Sequence, residues 1–188
     1  MTETFTERTF TERTLTESPA AAAEPIPTSD PRVTRAIELI WCEAELLDRK
    51  DYETWDALYT DDGFYVIPID PQAEHFDDIL NMVYDDARMR RMRVTRMTEG
   101  HAIAAVDAAR TVRTVSRFVA ESVSDDEVVV RSAQILVAYK RERHDLWAGD
   151  LVHRIRLSPD GPAGDRIVQK VIRLVDSEAA VPAAGFLL

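Results

Sequence analysis

Histidine and cysteine are the side chains of this 188-residue protein that could most readily bind a metal or transfer protons near neutral pH. An iron–sulfur centre or a mononuclear iron site needs several of them at one place. The chain has one cysteine, Cys42, and its four histidines fall in different predicted loops and strands: His75, His101, His144 and His153. No two of these histidines have the spacing of metal ligands on one helix. The spacing therefore predicts no metal site in this chain.

Two residues are candidates for acid–base chemistry inside a pocket, His153 and Tyr65. His153 lies on the apolar face of a predicted strand, in register with Leu151 and Ile155. A histidine in that position is more often a hydrogen-bonded core or interface residue than a base, although burial can shift a pKa toward catalysis. We therefore predict a structural role for both residues, with catalysis as the alternative.

An arginine-rich helix is predicted from Ala87 to Met97, capped by Asp85 or Asp86, with Met89, Met92 and Met97 as candidates for its apolar face. Its arginines point to different sides of a helix, which disfavours a single anion site. Contact with a protein partner fits better, because arginine is enriched at protein interfaces. The interface candidates are Arg88 and Arg91 on this helix and Arg113 and Arg117 on a later strand.

Composition narrows the classes of function. The formal net charge is -11 and the acidic residues are spread along the chain, which disfavours a nucleic-acid or anionic-membrane surface. No apolar run is long enough to span a membrane, and no secretory leader is visible, so we expect a soluble cytoplasmic protein. Cys42 lies within a helical pattern and is predicted to be a small buried hydrophobic residue.

Two regions are predicted, a tail over residues 1–30 and a single domain over residues 31–188. The tail contains the near-repeat Thr-Phe-Thr-Glu-Arg and an Ala- and Pro-rich linker, which predict disorder or docking on a partner. Ser29 or Asp30, with Pro31 at the first helical position, is a strong helix start. The apolar stripe of the first helix is predicted to contain Val33, Ile37, Ile40, Trp41, Ala44 and Leu47.

The segment 48–68 is predicted to contain a short amphipathic helix and a strand. Tyr52, Trp55 and Tyr59 have helical spacing and should share one face. Gly63 is predicted to end this helix in a left-handed conformation, and the strand should run from Phe64 to Ile67.

The C-terminal half has the period of strands rather than helices. Strands are predicted at Arg110–Ser122, Glu127–Arg143, Asp145–Leu157 and Arg166–Val175. Consecutive long strands joined by short turns favour an antiparallel meander, and helices followed by a sheet favour the α+β class.

Several segments, in chain order, carry a family resemblance. The first contributes Asp48, Arg49, Tyr52, Trp55, Leu58, Tyr59, Asp61, Asp62, Tyr65, Val66 and Pro68, and the second Ile79, Tyr84, Asp85, Asp86 and Arg88. The later ones are Val130-Arg131-Ser132, the strand end Tyr139 to Arg143, Asp145-Leu146-Trp147-Ala148-Gly149 and Val171 to Asp176. With these motifs the chain from about Ala36 to Leu188 resembles the small (beta) subunit of aromatic-ring-hydroxylating dioxygenases, the Rieske non-haem iron oxygenases.

The resemblance implies a fold and a role. The fold would be a cone of curved antiparallel sheet closed by N-terminal helices, NTF2-like or cystatin-like and similar to scytalone dehydratase. The role would be that of a non-catalytic structural subunit that trimerises within an assembly of three large (alpha) and three small (beta) subunits. This chain would hold no cofactor, because the Rieske [2Fe-2S] cluster and the mononuclear Fe(II) would lie in the large chains that dihydroxylate an aromatic substrate.

The first long strand departs from the family pattern R-T-R-H-x-x-S-N. Arg110 and Ser116 are kept, but Arg113 and Arg117 stand where the family commonly has His and Asn. Two other classes of function stay open from the residues themselves: a stand-alone dehydratase or isomerase, and a small-ligand binding protein. A closed apolar cavity faced by His153 or a tyrosine would favour either of these.

Overall fold

A computed structural model describes residues 25–99, 109–179 and 185–188. The helices are α1 (Pro31–Arg49), α2 (Tyr52–Asp56) and α3 (Ala87–Thr98), and Pro162–Gly164 forms a 3-10 turn. The strands are β1 (Tyr59–Pro68), β2 (Asn81–Asp85), β3 (Arg110–Val123), β4 (Glu127–Lys140), β5 (Arg143–Arg156) and β6 (Arg166–Leu174). The predicted α+β class is confirmed. The near-repeat of the predicted tail and His101 lie outside the described residues.

The strands form one mixed sheet in the order β2-β1-β6-β5-β4-β3. β3 to β6 form the predicted antiparallel meander. β1 pairs in parallel with β6, for example Val66 with Val171, and this ladder was not predicted. Register shifts near Ser116 and Ala120 mark β-bulges, which bend the edge strand β3.

Helix α1 packs on one face of the sheet, which we call the inner face. The Asp30 carboxylate accepts a hydrogen bond from the Arg32 backbone N–H at 2.9 Å, Pro31 occupies the first turn, and Lys50 ends the helix in the left-handed conformation. The buried stripe of α1 packs on residues of β3, β4 and β5. In the described residues, no helix has the length and apolarity needed to cross a membrane.

Two residues of α1 differ from their predicted placement. Trp41 is 54% exposed, and Cys42 is exposed rather than buried. Each residue turns a helix by about 100°, so these two side chains point away from the stripe that contains Ile40. Glu43 completes the buried stripe instead, between Ile40 and Leu47.

The segment 48–68 is organised by its contact with β6 rather than by its helical spacing. Tyr59 starts strand β1 and pairs with Ile167, so the prediction that it belongs to the short helix was wrong. Gly63 lies inside β1 and is not left-handed, contrary to prediction. It is needed for close approach, because a Cβ atom there would lie 3.0 Å from the Ile167 carbonyl oxygen.

Strand β2 and helix α3 flank the other edge of the sheet. Strand β2 pairs with β1 at the edge of the sheet, and the Asp86 carboxylate caps α3 by accepting a hydrogen bond from the Met89 N–H at 2.7 Å. The predicted methionine face was wrong at Met92, which is 46% exposed, whereas Met97 packs against the core. Arg90 faces inward instead, where it donates to Asp56 at 3.0 Å and lies 4.4 Å from the centre of the Tyr59 ring.

We predict that Trp55→Ala lowers the free energy of unfolding by about 3–5 kcal/mol, the range for truncating a fully buried aromatic residue. Trp41→Ala is the matched control. It should cost less than about 1.5 kcal/mol, because Trp41 is half exposed and keeps one edge-to-face contact, with Phe118. Denaturant titration measures both values, and equal losses would remove Trp55 as a core anchor.

Candidate functional site

A buried carboxylate lies at the centre of the helix–sheet interface. Glu43 Oε1 accepts hydrogen bonds from Trp55 Nε1 at 3.0 Å and from the Tyr59 hydroxyl at 3.2 Å. Lys170 Nζ lies 3.0 Å from the same oxygen, and His153 Nε2 lies 3.0 Å from Oε2. We call these five residues the Glu43 cluster. All five are buried.

Each member of the cluster comes from a different element. Glu43 is on α1, Trp55 on α2 and Tyr59 at the start of β1. His153 and Lys170 are paired residues on β5 and β6, so the ladder itself brings their side chains side by side. The period of two along each strand turns both toward α1.

The charges of the cluster balance. Burial would raise the pKa of Glu43, but the Lys170 ammonium and the hydrogen bonds from His153 and Trp55 outweigh it and lower that pKa. Burial lowers the pKa of His153, so its ring is neutral near pH 7. Nε2 must then carry the ring proton, because its partner is a carboxylate. Burial raises the pKa of Tyr59, and the nearby Glu43 raises it further, which keeps the hydroxyl a donor.

Residues 186–188 fill the space next to this cluster, and we call them the C-terminal plug. The Tyr65 hydroxyl donates to the Leu188 main-chain oxygen at 3.0 Å and accepts from the Leu188 N–H at 3.1 Å. Lys170 Nζ also donates to the Leu188 oxygen, at 3.2 Å, which links the plug to the Glu43 cluster. The Phe186 ring meets the Trp147 ring edge-on with centres 5.7 Å apart.

The two predicted pocket candidates therefore lie together in the interior. His153 has its Nε2 proton committed to Glu43, and Tyr65 has its hydroxyl committed to Leu188. His153 Nδ1 has no hydrogen-bond partner among the described residues. A cavity of about 190 Å³ beside the plug is lined by Tyr65, but among its described lining residues neither His153 nor Glu43 appears.

The interface candidates occupy different environments. Arg88 and Arg91 are exposed on α3. Arg117 is exposed at the β3 bulge, with a left-handed backbone (φ 55°) and an ion pair to Asp150. The Arg113 side chain lies in the interior, where Nη2 donates to the Leu187 main-chain oxygen at 2.6 Å. Partner contact stays a prediction for the three exposed arginines.

The sequence analysis did not single out three charged residues that lie in the interior: Glu43, Lys170 and Arg90. Glu43 and Lys170 are charged residues at core positions of their elements, which is rare unless they are paired. Glu43 stands on the same side of α1 as Ile40 and Leu47, and this spacing was the available signal. Nothing local identifies its partner, because 110 residues separate Glu43 from His153.

The sequence is similar to known proteins along most of its length. Residues 42–179 match the family model described as ring hydroxylating beta subunit. The small oxygenase component of the p-cumate 2,3-dioxygenase system of Pseudomonas putida is 35% identical over 147 residues, 77% of this chain and 79% of that protein. A benzene 1,2-dioxygenase subunit beta of Pseudomonas putida is 28% identical over 170 residues, 81% of this chain and 86% of that protein.

Solved structures share the fold at lower identity. The beta subunit of benzoate 1,2-dioxygenase from Burkholderia mallei gives a TM-score of 0.66 at 23% identity, covering 86% of this chain and 100% of that chain. A chain of naphthalene 1,2-dioxygenase with bound indole gives 0.68 at 16% identity, covering 82% and 84%. An NTF2-like protein with a cystatin-like fold from Novosphingobium aromaticivorans gives 0.55 at 17% identity, covering 79% and 85%. The predicted NTF2-like fold is confirmed.

We predict that Glu43→Gln lowers the free energy of unfolding by about 3–5 kcal/mol, because the buried Lys170 ammonium loses its counter-ion. The amide that replaces the carboxylate would also point its own N–H groups at the hydrogen-bond donors of the Glu43 cluster. Glu45→Gln, on the exposed side of the same helix, is the control and should cost less than about 0.5 kcal/mol. Chemical denaturation measures both, and a near-neutral Glu43→Gln would show that the carboxylate is not needed.

We also predict that His153 makes stability depend on pH between 7 and 5. The folded state holds His153 neutral, whereas the unfolded chain takes up a proton there below its ordinary pKa of 6.5. The unfolded state then binds more protons, so the free energy of unfolding falls as the pH drops. Glu43 adds its own loss only below its ordinary value of 4.5.

His153→Gln should flatten this dependence, since the amide can still donate to Glu43 but does not titrate. His144→Gln, at an exposed position, is the matched control and should keep the wild-type slope. Urea titrations at several pH values give the slopes. A wild-type slope in His153→Gln would contradict the assignment.

Proposed function

The chain belongs to the family of ring hydroxylating beta subunits, and from this premise we infer that it is the structural small subunit of an aromatic-ring-hydroxylating dioxygenase. Its work would be to support the large subunits that carry out the oxidation. The aromatic substrate would be selected and dihydroxylated in those large chains, during the catabolism of aromatic compounds.

The single observation that supports a non-catalytic role is that the polar groups of the interior are bound to other residues of the same chain. The residues of the Glu43 cluster supply the carboxylate with hydrogen bonds and an opposite charge. The C-terminal plug contacts Tyr65 and Lys170. An acid–base enzyme needs room for a reacting atom within about 3 Å of its catalytic groups. In the described interior, the Tyr65 hydroxyl and the Lys170 ammonium are both bound to Leu188. The described lining of the cavity beside the plug includes Tyr65 but neither Lys170 nor His153.

The partners and cofactors follow from the same proposal. We propose a cytoplasmic assembly of three large and three small subunits, in which copies of this chain associate as a trimer. The Rieske [2Fe-2S] cluster and the mononuclear Fe(II) would belong to the large subunits. Among the described residues of this chain, no group of three or more His, Cys, Asp or Glu side chains is arranged to hold a metal ion.

The alternatives are a stand-alone dehydratase or isomerase of this fold and a small-ligand binding protein. In either case the plug would have to leave the interior, and a ligand would have to contact His153 Nδ1, which has no hydrogen-bond partner in the described part of the chain. The same experiment separates them from the structural role.

We predict that this chain co-purifies with a large subunit bearing Cys-x-His and Cys-x-x-His motifs when the two are co-expressed. Iron should appear only in the complex, at a mass that fits three of each chain. Size-exclusion chromatography with light scattering and iron analysis, on the chain alone and co-expressed, measures this. Failure to find a partner would overturn the proposal and return attention to His153.

Substitutions of interior residues test the same proposal through a second measurement, the turnover per iron of the complex. In the assembled complex His153→Gln and Tyr65→Phe should change turnover per iron by less than about twofold, because a general acid or base contributes 100-fold or more. A collapse of turnover with assembly and iron content preserved would favour catalysis in this chain.

A further inference from the structure

Among the described residues, one half of the outer face of the sheet, opposite α1, is covered and the other half is not. The segment 69–80 folds over β1, β6 and part of β5, where Ala73 and Phe76 pack on Val66, Val152 and Val171. The Arg173 side chain fixes this segment by donating to the Ala73 carbonyl oxygen at 2.9 Å. This half of the face is therefore closed by the chain itself.

The other half, on β3, β4 and β5, carries an exposed apolar row. Val112 pairs with Val137, and Val137 pairs with Leu146, so the three side chains stand next to one another across the strands. Their exposed fractions are 70%, 38% and 67%. Ile135, two residues from Val137 on β4, extends the row and is 53% exposed. We call these four residues the open row.

The open row has the character of a contact surface. Single exposed apolar residues are ordinary, but neighbours on adjacent strands form a continuous patch that water solvates poorly. A stable interface needs about 800 Å² per partner, so the polar residues around the row must take part.

The charged residues beside the open row indicate what kind of surface would bind to it. The end of the sheet beside the open row is rich in basic residues: Arg49, Lys50, Arg110, Lys140, Arg141 and Arg143. Five acidic residues stand among them, Glu45, Asp48, Asp51, Glu142 and Asp145, so this end has a small positive balance although the whole chain has a net charge of -11. A surface that is apolar and basic fits one that is apolar and acidic.

The chain itself presents such an acidic surface. The segment 69–80 contains Asp70, Glu74, Asp77 and Asp78 and no lysine or arginine. It ends on Ile79 and Leu80, which are exposed, and Leu80 is 77% exposed. This segment leads into β2 at one edge of the sheet, whereas the open row lies toward the β3 edge. Strands lie about 4.8 Å apart, so β2 is roughly 14 Å along the sheet from Leu146 on β5 and roughly 24 Å from Val112 on β3.

We propose that the open row of one copy binds the acidic end of segment 69–80, residues 77–80, of a second copy. Because the two surfaces differ, the contact is head-to-tail, and such contacts form closed rings when the rotation between copies permits. Three copies would form the trimer of small subunits. The inference rests on the proposed function for that number, and it adds the surfaces that meet.

The test is a charge exchange measured on the chain alone. Asp77→Lys with Asp78→Lys reverses the acidic end, and Arg110→Glu with Arg143→Glu reverses the basic rim. Each pair should raise the dissociation constant for self-association about tenfold or more, the size expected from close interfacial charge pairs. Combining all four substitutions should restore association to within about threefold of wild type. Sedimentation velocity over a concentration series gives the constants.

Controls match the size and exposure of each change. Asp125→Lys with Asp160→Lys alters the net charge as much at two exposed turns and should leave association unchanged. Leu146→Gln should weaken association, whereas Val175→Gln, at a residue that is 77% exposed outside the row, should not. Circular dichroism confirms that each variant is folded.

Other results overturn the proposal. A wild-type chain that stays monomeric, or a fourfold variant that does not regain association, shows that the two surfaces do not meet. If the rim variant loses the large subunit but keeps self-association, the open row belongs to the large subunit. That result rejects the contact and leaves the proposed function intact. If wild type binds no large subunit, the proposed function fails, and the self-association series still decides the contact between copies.

Discussion

The structure depends on burying one ionised carboxylate. Taking a carboxylate out of water costs several kcal/mol unless hydrogen bonds and an opposite charge replace its solvation. Glu43 obtains four such contacts, from residues on α2, β1, β5 and β6. These contacts fix the rotation of α1 about its axis, because any other rotation would leave the Lys170 ammonium buried without a counter-ion. The helices and the sheet are thereby held in one arrangement.

The same cluster explains why the interior serves structure. Lys170 donates to Glu43 and to the main chain of the plug, so the charge that neutralises the carboxylate also holds residues 186–188 in place. Arg113 and Tyr65 hold the plug from two other strands. From β3, the long Arg113 side chain reaches the Leu187 main-chain oxygen. The polar side chains of Lys170, Arg113 and Tyr65, which could take part in acid–base chemistry or ligand binding, hold the plug in the core instead.

The two faces of the sheet have different relations to other chains. In the described residues, the inner face is covered by α1, α2 and the plug, whereas the outer face is closed over β1, β6 and part of β5 and open over β3, β4 and the rest of β5. A sheet whose inner face is covered in this way offers its outer face and its edges for contacts with partners. Assembly rather than catalysis is the function that such a distribution of packing supports.

Local rules account for much of the fold. Asp30 with Pro31 starts α1, Asp86 caps α3, and alternation marks β3 to β6, because caps and period-two patterns act between residues close in sequence. Local rules failed at Tyr59 and Gly63, where pairing with β6 overrode helical spacing. They also failed at Cys42 and Met92, whose exposure depends on which side of a helix the sheet covers. The sequence by itself determined the long elements, the α+β class and, through its motifs, the family. Only the tertiary structure decided that Glu43, His153 and Lys170 meet and that the plug fills the interior, because contacts between residues so far apart leave no local pattern to read.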